Sequence, residues 1–149
     1  MQTIAVYVND ASHATQVLQP MLSGSVPTRW ILVACAPVLR RHVGRWLSQA
    51  ARRQWRERWA NELFDELAPL FGAAGAAAPE RVVARHPLHQ VTTKLGARHA
   101  DLRLLDARAM RIGQTAEPIV AGQPVDGAVR WPTALAVTGG LSAVLALAD

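Results

Sequence analysis

The sequence predicts an α/β domain: an open, mostly parallel sheet with helices on both faces and a C-terminal β-hairpin. Three observations predict it. Residues 3–8, 30–36 and 102–105 are short runs of strand length and largely apolar, as strands covered on both faces are. Between them lie segments whose apolar residues recur three and four positions apart, so strand and helix alternate. The junctions carry turn chemistry, namely Asn9-Asp10, Gly24 with Pro27, the Ala/Gly run 72–79 and His86-Pro87.

The elements follow in order. Thr3-Ile4-Ala5-Val6-Tyr7-Val8 is the first strand. Asp10 or Ser12 caps a helix over about residues 13–22, with Pro20 expected to bend its end. Residues 30–36 form the second strand. A long helical region then covers about residues 38–71. Leu47, Ala51, Trp55, Trp59, Leu63, Leu67 and Phe71 recur every fourth residue and make one slowly drifting apolar stripe. Trp46, Ala50, Ala60 and Phe64 widen it. Gly44 marks a point where the region can divide, Pro69 is expected to end or bend it, and Arg58 with Glu62 has the spacing of a helical ion pair. Residues 81–85 are a third, shorter strand. Residues 88–99 form a helix with Leu88, Val91, Thr92 and Leu95 on one face, and residues 102–105 are the fourth strand. Gly113, Pro118, Gly122, Pro124, Gly127 and Pro132 leave no room for a full-length helix. Residues 133–137 and 143–147 read as two short strands joined at Gly139-Gly140.

Composition narrows the function classes. A chain of 149 residues suits a single domain, 1–149, and 50% hydrophobic with 18% charged residues is a globular balance. The net charge of +5 is local: residues 40–58 hold seven arginines against Glu57, so the remainder is slightly acidic. Lys94 is the only lysine and alanine is abundant, which a GC-rich coding sequence explains without selection for nucleic acid. Cys35 is the only cysteine; it forms no intramolecular disulfide and reads as a small buried hydrophobe. Met1-Gln2-Thr3 lacks the basic start of a secretory signal, which favours the cytoplasm. Residues 131–148 are apolar but interrupted by Pro132, Gly139 and Gly140 and otherwise rich in alanine, so a hairpin is expected there and no membrane span.

Val8-Asn9-Asp10-Ala11-Ser12, the long helical excursion after strand two, and the helix that ends in Ala100-Asp101-Leu102 before an apolar strand together resemble the universal stress protein family. The resemblance covers about residues 3–110. It implies a Rossmann-like fold of the adenine nucleotide alpha hydrolase-like kind, a stress-response role, no enzymatic activity, and a homodimer paired through the terminal strand. An apolar edge such as residues 143–147 would favour such pairing. In nucleotide-binding members the Asp of the first-strand exit, here Asp10, contacts the adenosine. Those members then carry Gly-x2-Gly-x9-Gly-Ser/Thr. This chain has Asp106 and Ala109 at the first two glycine positions, and Ile119 and Val120 near the last two. Glycine lets backbone amides approach a phosphate; a Cβ obstructs them, and an Asp carboxylate about 4 Å from a phosphate costs roughly 1–4 kcal/mol. ATP binding is therefore expected to be weak or absent, and no cofactor is expected.

Two further readings remain open. Asp10, Ser12, Ala34 and the loop from Asp106 can line a strand-end crevice for a nucleotide or another small ligand. Arg45, Arg52, Arg53, Arg56 and Arg58, with tryptophans nearby, can form a basic face for nucleic acid or an acidic protein. Against the second, the tryptophans fall on the stripe that anchors the helix to the sheet, so nucleic acid is not expected as a partner. His86 and His89 are separated from further metal ligands, and Ser12 beside His13 lacks a third orienting group; neither metal binding nor nucleophilic catalysis is expected.

Overall fold

The computed structural model describes residues 1–38, 46–110 and 116–121. Among the described residues four strands, β1 (Gln2–Val8), β2 (Thr28–Ala34), β3 (Glu80–Val83) and β4 (Leu102–Asp106), alternate with three helices, α1 (Ala11–Leu22), α2 (Gln49–Ala73) and α3 (Leu88–Arg98). All the strand pairs are parallel, in the order β3-β2-β1-β4. This is an α/β Rossmann-like fold, as the alternation of elements predicts. Arg45, the Gly44 division point and the two C-terminal strands expected from the sequence lie outside the described residues.

The period-two alternation of the strands sorts the core into two layers. Ile4, Val6 and Val8 of β1, with Trp30, Leu32 and Ala34 of β2, pack beneath α1 and α2 against Leu18, Leu63, Phe64, Leu67 and Phe71. Trp30 meets Phe71 edge to face, with ring centroids 6.0 Å apart. On the other face Ala5, Tyr7, Ile31, Val33, Leu102 and Leu104 pack beneath α3, whose Leu88, Val91 and Leu95 are buried with Ile119 and Val120. The face assigned to α3 from its spacing is thus the buried one, Thr92 included.

Local chemistry sets the helix ends. Asp10 caps α1, its Oδ2 accepting from the His13 amide at 2.8 Å. Ser48 caps α2 by accepting from the Ala51 amide at 3.1 Å, so this helix starts at Gln49, within the longer region the spacing predicts. It stops beyond Ala73 in a Schellman turn, in which the Ala76 amide donates to the Phe71 carbonyl (3.0 Å) and the Gly75 amide to the Gly72 carbonyl (3.1 Å). Gly75 takes φ +68°, the left-handed geometry this turn requires. Neither proline ends its helix: α1 continues past Pro20 and α2 past Pro69. Each removes one amide donor, and buried neighbours such as Leu22 and Phe71 hold the last turn in place.

Two expectations for α2 need correction. Arg58 and Glu62 do not form an ion pair among the described residues. The helix instead pairs with β3 and the residues just after it, Asp65 with Arg81 at 3.2 Å and Glu57 with Arg85. Trp46 does not join the core stripe; it is 87% exposed, since it precedes the helix and lies beyond the reach of the sheet.

Candidate functional site

Chain order places the switch point of this sheet between β1 and β4. From β1 the chain moves outward through β2 to β3, then returns across the sheet to β4 on the far side of β1. The C-terminal ends of those two strands are where an open α/β sheet binds ligands. Register brings Tyr7 opposite Asp106 and Val8 opposite Ala34. Ala34 and Asp106 therefore end β2 and β4 at the edge where Asp10 follows β1 by two residues, with Ser12 exposed in the first turn of α1.

Asp10, Ala34 and Asp106 each have their own local engagement. The carboxylate of Asp10 is engaged as the α1 cap. Ala34 is fully buried, and its carbonyl accepts from the Ala84 amide at 3.1 Å. Asp106 continues the Leu102 and Leu104 side of β4, which faces α3. There it grips Arg108: Nε donates to Oδ1 and Nη2 to Oδ2, both at 2.9 Å. This forked pair is only 6% exposed on the arginine side, so most of its charge is neutralised internally. Burial alone would lower the Arg108 pKa, but the hydrogen bonds and charge of Asp106 reverse that and raise it.

The loop that follows β4 is stitched to its surroundings amide by amide. The Ala107 amide donates to the Tyr7 carbonyl at 2.9 Å. The Arg108 amide donates to Asp106 Oδ1 at 3.1 Å, an Asx-type turn. The Ala109 amide donates to Asn9 Oδ1 at 2.6 Å, and Asn9 Nδ2 donates back to the Ala109 carbonyl at 3.0 Å. Asn9 thus bridges the β1 exit and the β4 exit, 100 residues apart in sequence.

A buried polar layer lies behind this loop. The Tyr7 hydroxyl bonds with Thr92 Oγ1, which also reaches the Leu88 and Ile119 carbonyls at 2.9 and 2.7 Å. Burial pushes the Tyr7 pKa up to about 12, against the lowering effect of the Thr92 hydrogen bond. Burial likewise pushes the Cys35 thiol up to about 12, which leaves it protonated and unreactive at neutral pH. Glu117 accepts from the Leu88 amide at 2.9 Å and so caps α3, whose own N-cap residue, Pro87, makes no side-chain cap.

Two grooves lie away from this edge. One, of about 640 Å³, runs between residues 24–30 and 74–80; the other, of about 750 Å³, lies beside β4 and α3 near His89 and His99. Neither is lined by Asp10, Ser12, Ala34 or Asp106. Among the described residues no three His, Cys, Asp or Glu side chains come together as a metal site, and no helix is long and apolar enough to cross a membrane.

The chain matches no protein-family model, no curated protein and no solved structure. Its site is therefore read from its own geometry. Sequence reasoning picked out Asp106 but not its partner Arg108, and passed over Asn9 as a turn residue. The Asp-x-Arg spacing at a strand exit is the signal for the first. Nothing local marks the second, because the partner of Asn9 is the distant backbone of Ala109.

Proposed function

We propose that this chain is a non-enzymatic module, similar to universal stress proteins, that acts by binding other molecules in the cytoplasm. It is homodimeric through its terminal strand and does not hold ATP at the strand ends as that family does. One observation carries the nucleotide part of this reading. The three consecutive amides that a phosphate-cradling loop would offer, those of Ala107, Arg108 and Ala109, already donate to Tyr7, Asp106 and Asn9. A phosphate would have to displace all three bonds and lie beside the Asp106 carboxylate, with Cβ atoms where nucleotide-binding loops use glycine. Ile119 and Val120, which stand near the last motif positions, are buried under α3 and present no hydroxyl.

Isothermal titration of the folded protein with Mg-ATP tests the reading. No saturable heat is expected below millimolar nucleotide, and micromolar affinity would overturn it. A thermal-shift screen of nucleotides and small anions extends the test, since a ligand at 100 times its dissociation constant adds about 2.7 kcal/mol of stability. Light scattering on size-exclusion chromatography tests the dimer: a monomer at micromolar concentration would refute that part.

A further inference from the structure

Strand β4 is the outermost strand on its side of the sheet among the described residues. The Ala107 amide turns inward to the Tyr7 carbonyl. Backbone polar groups alternate in direction along a strand, so Arg103 and Leu105 also turn toward β1, while Leu102 and Leu104 present their N–H and C=O groups outward. Among the described residues nothing hydrogen-bonds to these outward groups. They face a groove of about 750 Å³ that runs along the edge, with α3 as its other bank. Leu102, Leu104 and Val120, all buried, give the groove an apolar wall. One more polar group borders it: Nε2 of His99 is shielded from water and has no hydrogen-bond partner among the described residues. Apolar walls beside an open row of backbone donors and acceptors are what an added strand needs.

The chain itself leads into this groove. After β4 it returns along α3: Glu117 accepts from the Leu88 amide at the start of the helix, and the Ile119 carbonyl accepts from Thr92 one turn on. Helix α3 runs from the C-terminal edge of the sheet toward the N-terminal edge, so residues 117–121 run opposite to β4 on the α3 face, and Val120 and Ala121 border the groove. This limb is half of a crossover. Crossovers between parallel strands are right-handed. Here the steps from β1 through β2 to β3 go one way across the sheet and carry α1 and α2 on one face. The step from β3 to β4 goes the other way and carries α3 on the opposite face. A further step outward from β4 keeps that second direction, so its crossover has to lie on the α3 face, where residues 117–121 are.

We infer that the outer edge of β4 is the docking site of this chain's own residues 133–137, added as a fifth strand parallel to β4. Thr133-Ala134-Leu135-Ala136-Val137 is the first strand-like run after Ala121 and has five residues, as β4 does. Residues 122–132 span at most about 36 Å, enough to turn at the N-terminal edge of the sheet and enter the groove. Pro132 falls just ahead of the run, where a strand accepts proline. A second copy of the chain would satisfy the backbone of β4 equally well, but it would leave the crossover limb 117–121 with no strand to lead to. The docking lies within one chain, so a monomer in solution would refute the dimer proposed above and leave the docking standing.

The test is nuclear magnetic resonance of the isotopically labelled full chain. Nuclear Overhauser contacts between residues 102–106 and 133–137, in the pattern of parallel strands, are expected. The Leu102 and Leu104 amides should be protected from solvent exchange, as their inward neighbours Arg103 and Leu105 are. Leu135→Pro removes a ladder donor and should speed exchange at Leu102 and Leu104 by at least about tenfold while leaving Arg103 and Leu105 unchanged. Leu145→Pro should change none of the four. If Leu135→Pro speeds all four, that variant has lost its fold, and the contacts in the parent chain decide alone. Contacts of β4 with residues 143–147 overturn the inference, as do contacts that form only between differently labelled chains, or no contact with residues 133–137. Release of Leu102 and Leu104 by Leu145→Pro but not by Leu135→Pro overturns it as well.

Discussion

Replacing Asn9 with alanine removes the side chain that ties the two strand exits together. The Asn9 carboxamide makes two hydrogen bonds to one residue, accepting from the Ala109 amide at 2.6 Å and donating to the Ala109 carbonyl at 3.0 Å. A neutral hydrogen bond contributes about 1 kcal/mol net, so Asn9→Ala should cost about 2 kcal/mol. Ala109 is half-buried and gains water once released, which keeps the cost below that of stranding two buried groups. For a chain of this length the loss corresponds to a fall in melting temperature of roughly 4–8 °C. Asn9→Asp keeps the acceptor and loses the donor, and about half the effect is expected. Urea unfolding followed by far-ultraviolet circular dichroism measures the free energies. Hydrogen exchange reads the site directly: the Ala109 amide should be protected in the parent protein and exchange much faster in Asn9→Ala. A change under about 0.5 kcal/mol, typical of an exposed surface substitution, would refute the stitched loop, as would unaltered exchange at Ala109.

Tyr7 is the single tyrosine, so the ultraviolet absorbance of tyrosinate reports it alone; its midpoint should lie near pH 12, and a midpoint near 10 would show the hydroxyl to be in water. Because folding raises this pKa, the associated stability is complete below pH 10 and is lost as pH rises from 10 toward 12; two pH units correspond to about 3 kcal/mol. Cys35 is half-buried, not fully buried as its sequence context suggests. Its raised pKa should still make it resist iodoacetamide at pH 9 in the native protein and react on unfolding in urea, and rapid alkylation of the folded chain would contradict that raised pKa. Gly75→Ala should cost about 1–2 kcal/mol through its positive φ alone, since no atom lies within 4 Å of the added Cβ. Gly72→Ala, equally unobstructed but helical, should instead stabilise by about 0.5–1 kcal/mol in the same urea assay.

The sequence specifies the alternation of elements, because strand and helix impose different periods on apolar residues. It marked Leu88, Val91, Thr92 and Leu95 as one buried face, and the largely apolar residues 3–8 as a covered strand. It also marked Asp106 as the residue that follows the apolar run of the fourth strand. What Asp106 binds is settled on folding. Its fork with Arg108 depends on the turn after β4, and the Asn9–Ala109 bridge depends on β4 returning beside β1. Capping of α3 by Glu117 likewise joins residues 29 positions apart. The same limit explains the misplacement of Trp46. Spacing shows which face of a helix is apolar, but where that face leaves its sheet depends on the length of the strands beneath it. Periodicity is local and is written in the chain; hydrogen-bond partners are set by neighbours that only folding brings together.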